Sequence, residues 1–193
     1  NYFSYGLLAW LPSFLSSALN VTLSKSSFLS ILPYLATVAV TTIVAPTADK
    51  LEAGGMSRTN VRRLSQSLCF GGGAVALTAV AWVINSTPPE AVTNTTIATV
   101  MTLLTICFGM GAWVRTGLFC GHQDLSPKYA SIMLGTTNTA AAIASTLSTF
   151  FTGYFFSATN GHWALSLFLP IPFFPALSVL LFPAFESTPV AFD

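Results

Sequence analysis

Gly121-His122-Gln123-Asp124-Leu125-Ser126-Pro127-Lys128-Tyr129-Ala130-Ser131-Ile132-Met133-Leu134-Gly135-Thr136-Thr137-Asn138-Thr139 is where polar chemistry interrupts a chain that is otherwise apolar. It reads as a short charged hinge between two hydrophobic runs. Ser126 or Asp124 can cap the helix that follows, and Pro127 suits its first turn, where a missing N–H costs nothing. From about Pro127 onward Gly135, Asn138, Ala142, Ser145, Thr149 and Thr152 recur at steps of three or four. One face of this helix is therefore small and weakly polar, and it is expected to pack closely or line a cavity.

Outward from the hinge, composition decides the class. Of 193 residues 53% are hydrophobic and 7% charged, and the mean hydropathy is +0.70, whereas soluble domains carry about 25% charged residues. Too few charges are present to coat a compact soluble domain of this length. The chain is predicted to be an all-α, polytopic membrane bundle covering residues 1–193, with spans over 2–19, 28–48, 65–84, 95–120, 128–156 and 163–185. Pro12 and Pro33 fall inside the first two, and Pro170, Pro172, Pro175 and Pro183 crowd the last; neighbouring helices can take up the carbonyls they release. A β-barrel does not fit, because the apolar runs do not alternate.

The polar links have separate characters. Residues 47–63 hold Asp49, Lys50, Glu52, Arg58, Arg62 and Arg63 around Gly54-Gly55 and are expected to form a loop in water. Lys50, Arg58, Arg62, Arg63 and Lys128 all fall in the second and fourth links, so these face the cytosol or the equivalent organellar side. Asn85-Ser86-Thr87 and Asn94-Thr95-Thr96 match the glycosylation triplet on the other side, a pattern frequent by chance. Gly71-Gly72-Gly73 lacks the Gly-Lys-Ser/Thr ending of a phosphate loop and reads as a close helix contact. Cys69, Cys107 and Cys120 have no metal or redox spacing and are expected to be free thiols. A net charge of +1 gives no reason to expect nucleic acid. With Asn at position 1 and no basic leader, no signal or transit peptide is visible in this sequence, which is expected to be a fragment.

The run from His122 to Ser131, followed by Gly135 and Asn138-Thr139, resembles the link between helices ten and eleven of the anion:cation symporters of the major facilitator superfamily. Vesicular glutamate transporters, sialin and plant chloroplast phosphate transporters are of this kind. The resemblance covers the whole chain as the C-terminal half only, with Asn1 to Pro12 like a seventh helix entered late and Phe185-Glu186-Ser187-Thr188-Pro189 like the plant-type tail. It implies a missing N-terminal six-helix half as partner, alternating access, a small anion (phosphate first, ascorbate or another organic anion next), and symport with Na⁺ or H⁺. No cofactor or resident metal is implied beyond that coupling ion. It implies as well a multi-pass location in lipid, in a chloroplast thylakoid or envelope membrane where the plant-type likeness holds.

Candidate residues follow from both readings. Asp49 with Arg62 or Arg63 resembles a degenerate form of the superfamily's loop signature, a set of opposite charges at helix ends that pair in one conformation and separate in the other; plain positive-inside charge accounts for it equally. Asp124 with His122 and Lys128 forms a second such lock, or merely caps a helix. Arg115 is the one charge placed inside an apolar run, where leaving it unpaired costs about 2.5 to 3.5 kcal/mol on insertion scales. It also lies within snorkelling reach of the link, Cys120 being about 7.5 Å along the helix. The family has an apolar residue there, so Arg115 inherits no role. Arg115, Asn138 and Tyr5 are the candidate substrate contacts. His122 has the chemistry to couple protons, and His162 beside Trp163 reads as an ordinary interfacial ring. An integral membrane enzyme using His122 and Asp124, or a six-span structural subunit, are the alternatives; no nucleophile partnered by a base supports the enzyme.

Overall fold

A computed structural model of the chain describes residues 2–168 and 177–184, and every regular element among them is helical. Helix α1 (Tyr2–Ala18) carries Pro12 inside it, and the chain reverses at Asn20, whose φ is +52°. Helices α2 (Leu23–Leu29) and α3 (Ile31–Ala53) form nearly one rod, interrupted at Ser30. Pro33 explains the break, because it has no N–H to give and its ring crowds the carbonyl of Leu29, four positions back.

The charged segment 47–63 is not the loop expected from its composition. Helix α3 runs to Ala53 and α4 (Arg58–Ser86) starts soon after, leaving only residues 54–57 to turn. Gly55, at φ +93°, supplies the left-handed step, and the Ser57 hydroxyl accepts the Asn60 N–H at 3.4 Å to cap α4. Lys, Arg and Glu are good helix formers. An apolar run shows where a helix leaves lipid, not where it ends.

Helix α5 (Asn94–Gly111) opens with Thr93 and Thr96 exchanging a reciprocal capping pair. It continues as a 3₁₀ turn (Ala112–Val114), a π turn (Arg115–Phe119) and α6 (Cys120–Leu125), so His122 and Asp124 sit on a helix rather than in the hinge. The hinge proper is Ser126 to Tyr129, closed by the Tyr129 N–H donating to the Ser126 carbonyl at 3.2 Å. Helix α7 (Ala130–Ala158) starts later than Pro127, and no side chain caps it. Asp124 does not serve as the cap because Arg62 holds its carboxylate.

Among the described residues three helices, Leu23–Ala53, Arg58–Ser86 and Asn94–Leu125, are long and apolar enough to cross a membrane. The chain is thus a multi-pass helical membrane protein. Beyond them, Trp163 leads into a π turn (Ala164–Phe168), and a helical turn over 177–181 runs into a 3₁₀ turn (Phe182–Ala184). The rest of the expected span over 163–185, with Pro170, Pro172 and Pro175, and the 185–189 tail lie outside the described residues.

The core sits between α1, α4, α5 and the 163–168 turn, built from Leu7, Leu11, Phe14, Leu77, Leu104 and Phe168, all 0–1% exposed. Trp163 is its keystone: its indole N–H donates to Ser17 Oγ at 2.8 Å and its ring contacts Trp10, Phe14 and Phe156. Lipid gives no hydrophobic push between helices, so close approach and hydrogen bonds must hold them together. Gly72 provides the approach, since a Cβ there would come within 2.7 Å of Met110. Thr37 on α3 donates to the Phe108 carbonyl of α5 at 2.9 Å. The outer face of α3, with Ile31, Leu35, Val38 and Ile43 exposed, is the surface such a helix turns to lipid.

Candidate functional site: a charge bracket and a cavity around Tyr5

Arg62, in the first turns of α4, has only 9% of its side chain exposed and reaches two carboxylates on two other helices. Its Nε donates to Asp124 Oδ2 at 2.7 Å and its Nη2 to Asp124 Oδ1 at 3.4 Å, while Nη1 lies 3.1 Å from Glu52 Oε1. The planar guanidinium can serve both acids at once. The ends of α3, α4 and α6 are thereby tied into one bracket. Arg58 adds an outer contact to Glu52 at 3.7 Å.

This single bracket replaces the two locks expected from the sequence. Arg62 and Asp124 take part, but across the pairs that were expected, and Glu52 supplies the second acid. Asp49 is exposed and among the described residues forms no ion pair; Lys128 lies over the Tyr129 ring, 5.1 Å from its centroid. Arg63 is half-buried beside the bracket. His122 is 6% exposed, with Nε2 3.1 Å from the Thr137 hydroxyl on α7 and Nδ1 buried without a partner. It joins α6 to α7 instead of joining Asp124. Glu52 was visible as an acid of the loop expected over 47–63, but its choice over Asp49 depends on how α3 is rotated against α4.

The candidate substrate residues gather around Tyr5. One cavity of about 270 Å³ is lined by Tyr5, Ser4, Tyr34, Thr37, Arg115 and Phe119 among others. A second, of about 380 Å³, is lined by Tyr5, Asn138, Ala141, Ala142 and Ser145. Tyr5 and Arg115 thus share one cavity, and Tyr5 and Asn138 the other. Arg115 is exposed, forms no ion pair among the described residues, and lies 5.8 Å from the centroid of Phe119. Such a guanidinium, held by a ring and by no acid, has its donors available for an anion. Tyr34, missed from sequence, packs edge-on to Phe108 with its hydroxyl buried and unpartnered.

The small face of α7 does both things expected of it. Toward its C-terminal end Thr152 is buried and Trp10 Nε1 donates to the Thr149 carbonyl at 3.3 Å; nearer the hinge Asn138, Ala142 and Ser145 line the open cavity. The three cysteines are free, Cys69 and Cys107 buried and Cys120 half-buried.

The chain is a multi-helix membrane protein with a charge bracket at helix ends and cavities around Tyr5. Comparisons with known proteins place relatives beside it. The chain is 35% identical to a probable chloroplastic anion transporter of Arabidopsis thaliana (number 6 of its series) over 95% of its own length and 34% of that protein's. It is 35% identical to a chloroplastic ascorbate transporter of the same plant over 84% of the chain and 28% of the relative, and 30% identical to its sodium-dependent phosphate transport protein 1 over 84% and 29%. No protein-family model matches. This chain is thus similar over most of its length to part of proteins named chloroplastic anion transporters, the kind of protein the hinge resemblance implied. It spans about a third of the length of the curated relatives it matches, and these relatives are named as transporters rather than enzymes.

Proposed function

We propose that this chain is the C-terminal six-helix half of a secondary transporter that moves a small anion, phosphate or an organic anion such as ascorbate, across a chloroplast membrane by alternating access coupled to Na⁺ or H⁺. The observation that carries the reading is the Arg62 bracket. It ties three helix ends without lining any of the cavities around Tyr5, which suits a gate and not a binding group. The cargo is taken from the relatives, one named for phosphate with sodium and one for ascorbate. Arg115, Tyr5 and Asn138 then contact the anion from this side, and the other half supplies the opposite wall, because alternating access needs two bundles rocking about a site between them.

The test is phosphate uptake into liposomes holding this chain alone or assembled with a related first half. Uptake is expected only from the assembled pair. Robust uptake by the monomeric 193-residue chain would defeat the half-transporter reading.

A further inference from the structure

We propose that Ser65, Gln66 and Thr116, packed together where α5 breaks over residues 112–119, form a binding site for a monovalent cation, Na⁺ before K⁺. It rests on the transporter reading above, in which it would hold the coupling ion.

Gln66 is 0% exposed, and neither its Oε1 nor its Nε2 has a hydrogen-bond partner. An unmet polar group in a dry interior costs about 1–3 kcal/mol, and the Oε1 of this amide is an acceptor that a cation would meet. Gly117 is fitted to it: a Cβ at that position would lie 2.6 Å from Gln66 Oε1. Only glycine lets the amide oxygen press against the backbone of the broken helix.

The neighbouring groups are neutral oxygens. Ser65 and Thr116 are 0% and 5% exposed, with hydroxyls 3.1 Å apart, and Thr116 Oγ1 also lies 3.3 Å from the Trp113 carbonyl. The α-helical ladder stops at Gly111 and gives way to the 3₁₀ turn and the π turn. The break brings Thr116 and Gly117 against Ser65 and Gln66, and interrupted membrane helices are where transporters hold Na⁺. The Gly111 carbonyl receives a weak contact from Cys69 Sγ at 3.7 Å.

The donor set selects the ion. Oxygen-only ligands suit hard cations, and a divalent ion would ask for carboxylates; among the described residues no cluster of three or more His, Cys, Asp or Glu is placed to hold a metal. Arg62, one turn before Gln66, is already matched by Asp124 and Glu52 and does not repel a monovalent guest. The tight packing at Gly117 favours the smaller ion.

The test titrates the full chain in lipid nanodiscs with NaCl, total salt being held constant with KCl, and follows tryptophan fluorescence, Trp113 standing beside the site. A saturable response to Na⁺ is expected from the wild type. It should vanish in Gln66→Leu and move to roughly tenfold or more higher Na⁺ in Ser65→Ala. In Gln66→Glu, which keeps the oxygen and adds charge, it should move to lower Na⁺; this variant guards against a Gln66→Leu that merely misfolds. No Na⁺-specific response in the wild type, or one midpoint shared by all variants, overturns the site. With a related first half assembled, anion uptake indifferent to Na⁺ would overturn this site and leave the transporter reading standing, whereas Na⁺ binding here with no anion uptake by that assembled pair would sink the transporter reading alone.

Discussion

Asp124→Asn is the substitution that most directly tests the Arg62 bracket. The side chains concerned are 9% exposed for Arg62, 12% for Asp124 and 26% for Glu52. An exposed ion pair contributes only about 0.2–1 kcal/mol, while stripping one partner from a fully buried pair costs about 3–5 kcal/mol. Arg62 keeps Glu52, and an asparagine oxygen can still accept one N–H, so the loss falls between these limits, near the ~2 kcal/mol of a charge-assisted hydrogen bond. At 1.4 kcal/mol per factor of ten, that is roughly a 30-fold change in the balance between closed and open ends. In the complete transporter Asp124→Asn should slow anion turnover, with a smaller change in half-saturating concentration. Uptake against phosphate concentration at equal surface expression reads the first effect. Alkylation of the native, half-buried Cys120 from the bracket side reads the shift toward open ends, and should speed up while Cys69 and Cys107 stay protected. Unchanged turnover together with unchanged Cys120 reactivity would refute the gate.

The other expected outcomes are shorter to state. Arg115→Leu should raise the half-saturating anion concentration by about tenfold or more with turnover nearly kept, because a charged hydrogen bond to the bound anion is lost; uptake like the wild type's would make Arg115 a snorkelling residue. Single cysteines placed at Ser57 and Thr93 in a cysteine-free chain should label with an impermeant reagent from opposite faces, since these residues cap α4 and α5 on either side of a 29-residue helix about 43 Å long. Labelling from one face would reject the topology. Gly117→Ala should lower the melting temperature, costing about 1–3 kcal/mol because the new methyl meets the backbone of Gln66 at 3.1–3.3 Å. Gly135→Ala, with nothing within 4 Å, should be neutral or gain up to ~1 kcal/mol of helix preference; equal effects of the two would contradict the packing.

Hydropathy alone made the chain a multi-pass helical membrane protein, because lipid admits only apolar side chains and backbone that satisfies itself. The pattern from His122 to Asn138 carried the family likeness, and the spacing of Gly135, Asn138, Ser145 and Thr149 the small face of α7, since helical periodicity is a local property. Helix ends were less legible: residues 47–53 and 120–125 are helical past their apolar runs, because charged residues extend a helix into water without weakening its backbone. Only the tertiary structure decided that Arg62 takes Glu52 and Asp124, not Asp49. That choice depends on how α3, α4 and α6 are rotated and crossed, which is fixed by distant contacts such as Gly72 against Met110. The break over residues 112–119 was equally hidden, for no proline marks it. It belongs to the packing of Thr116 on Ser65 and of Gly117 on Gln66, contacts between residues about fifty positions apart that no local pattern encodes.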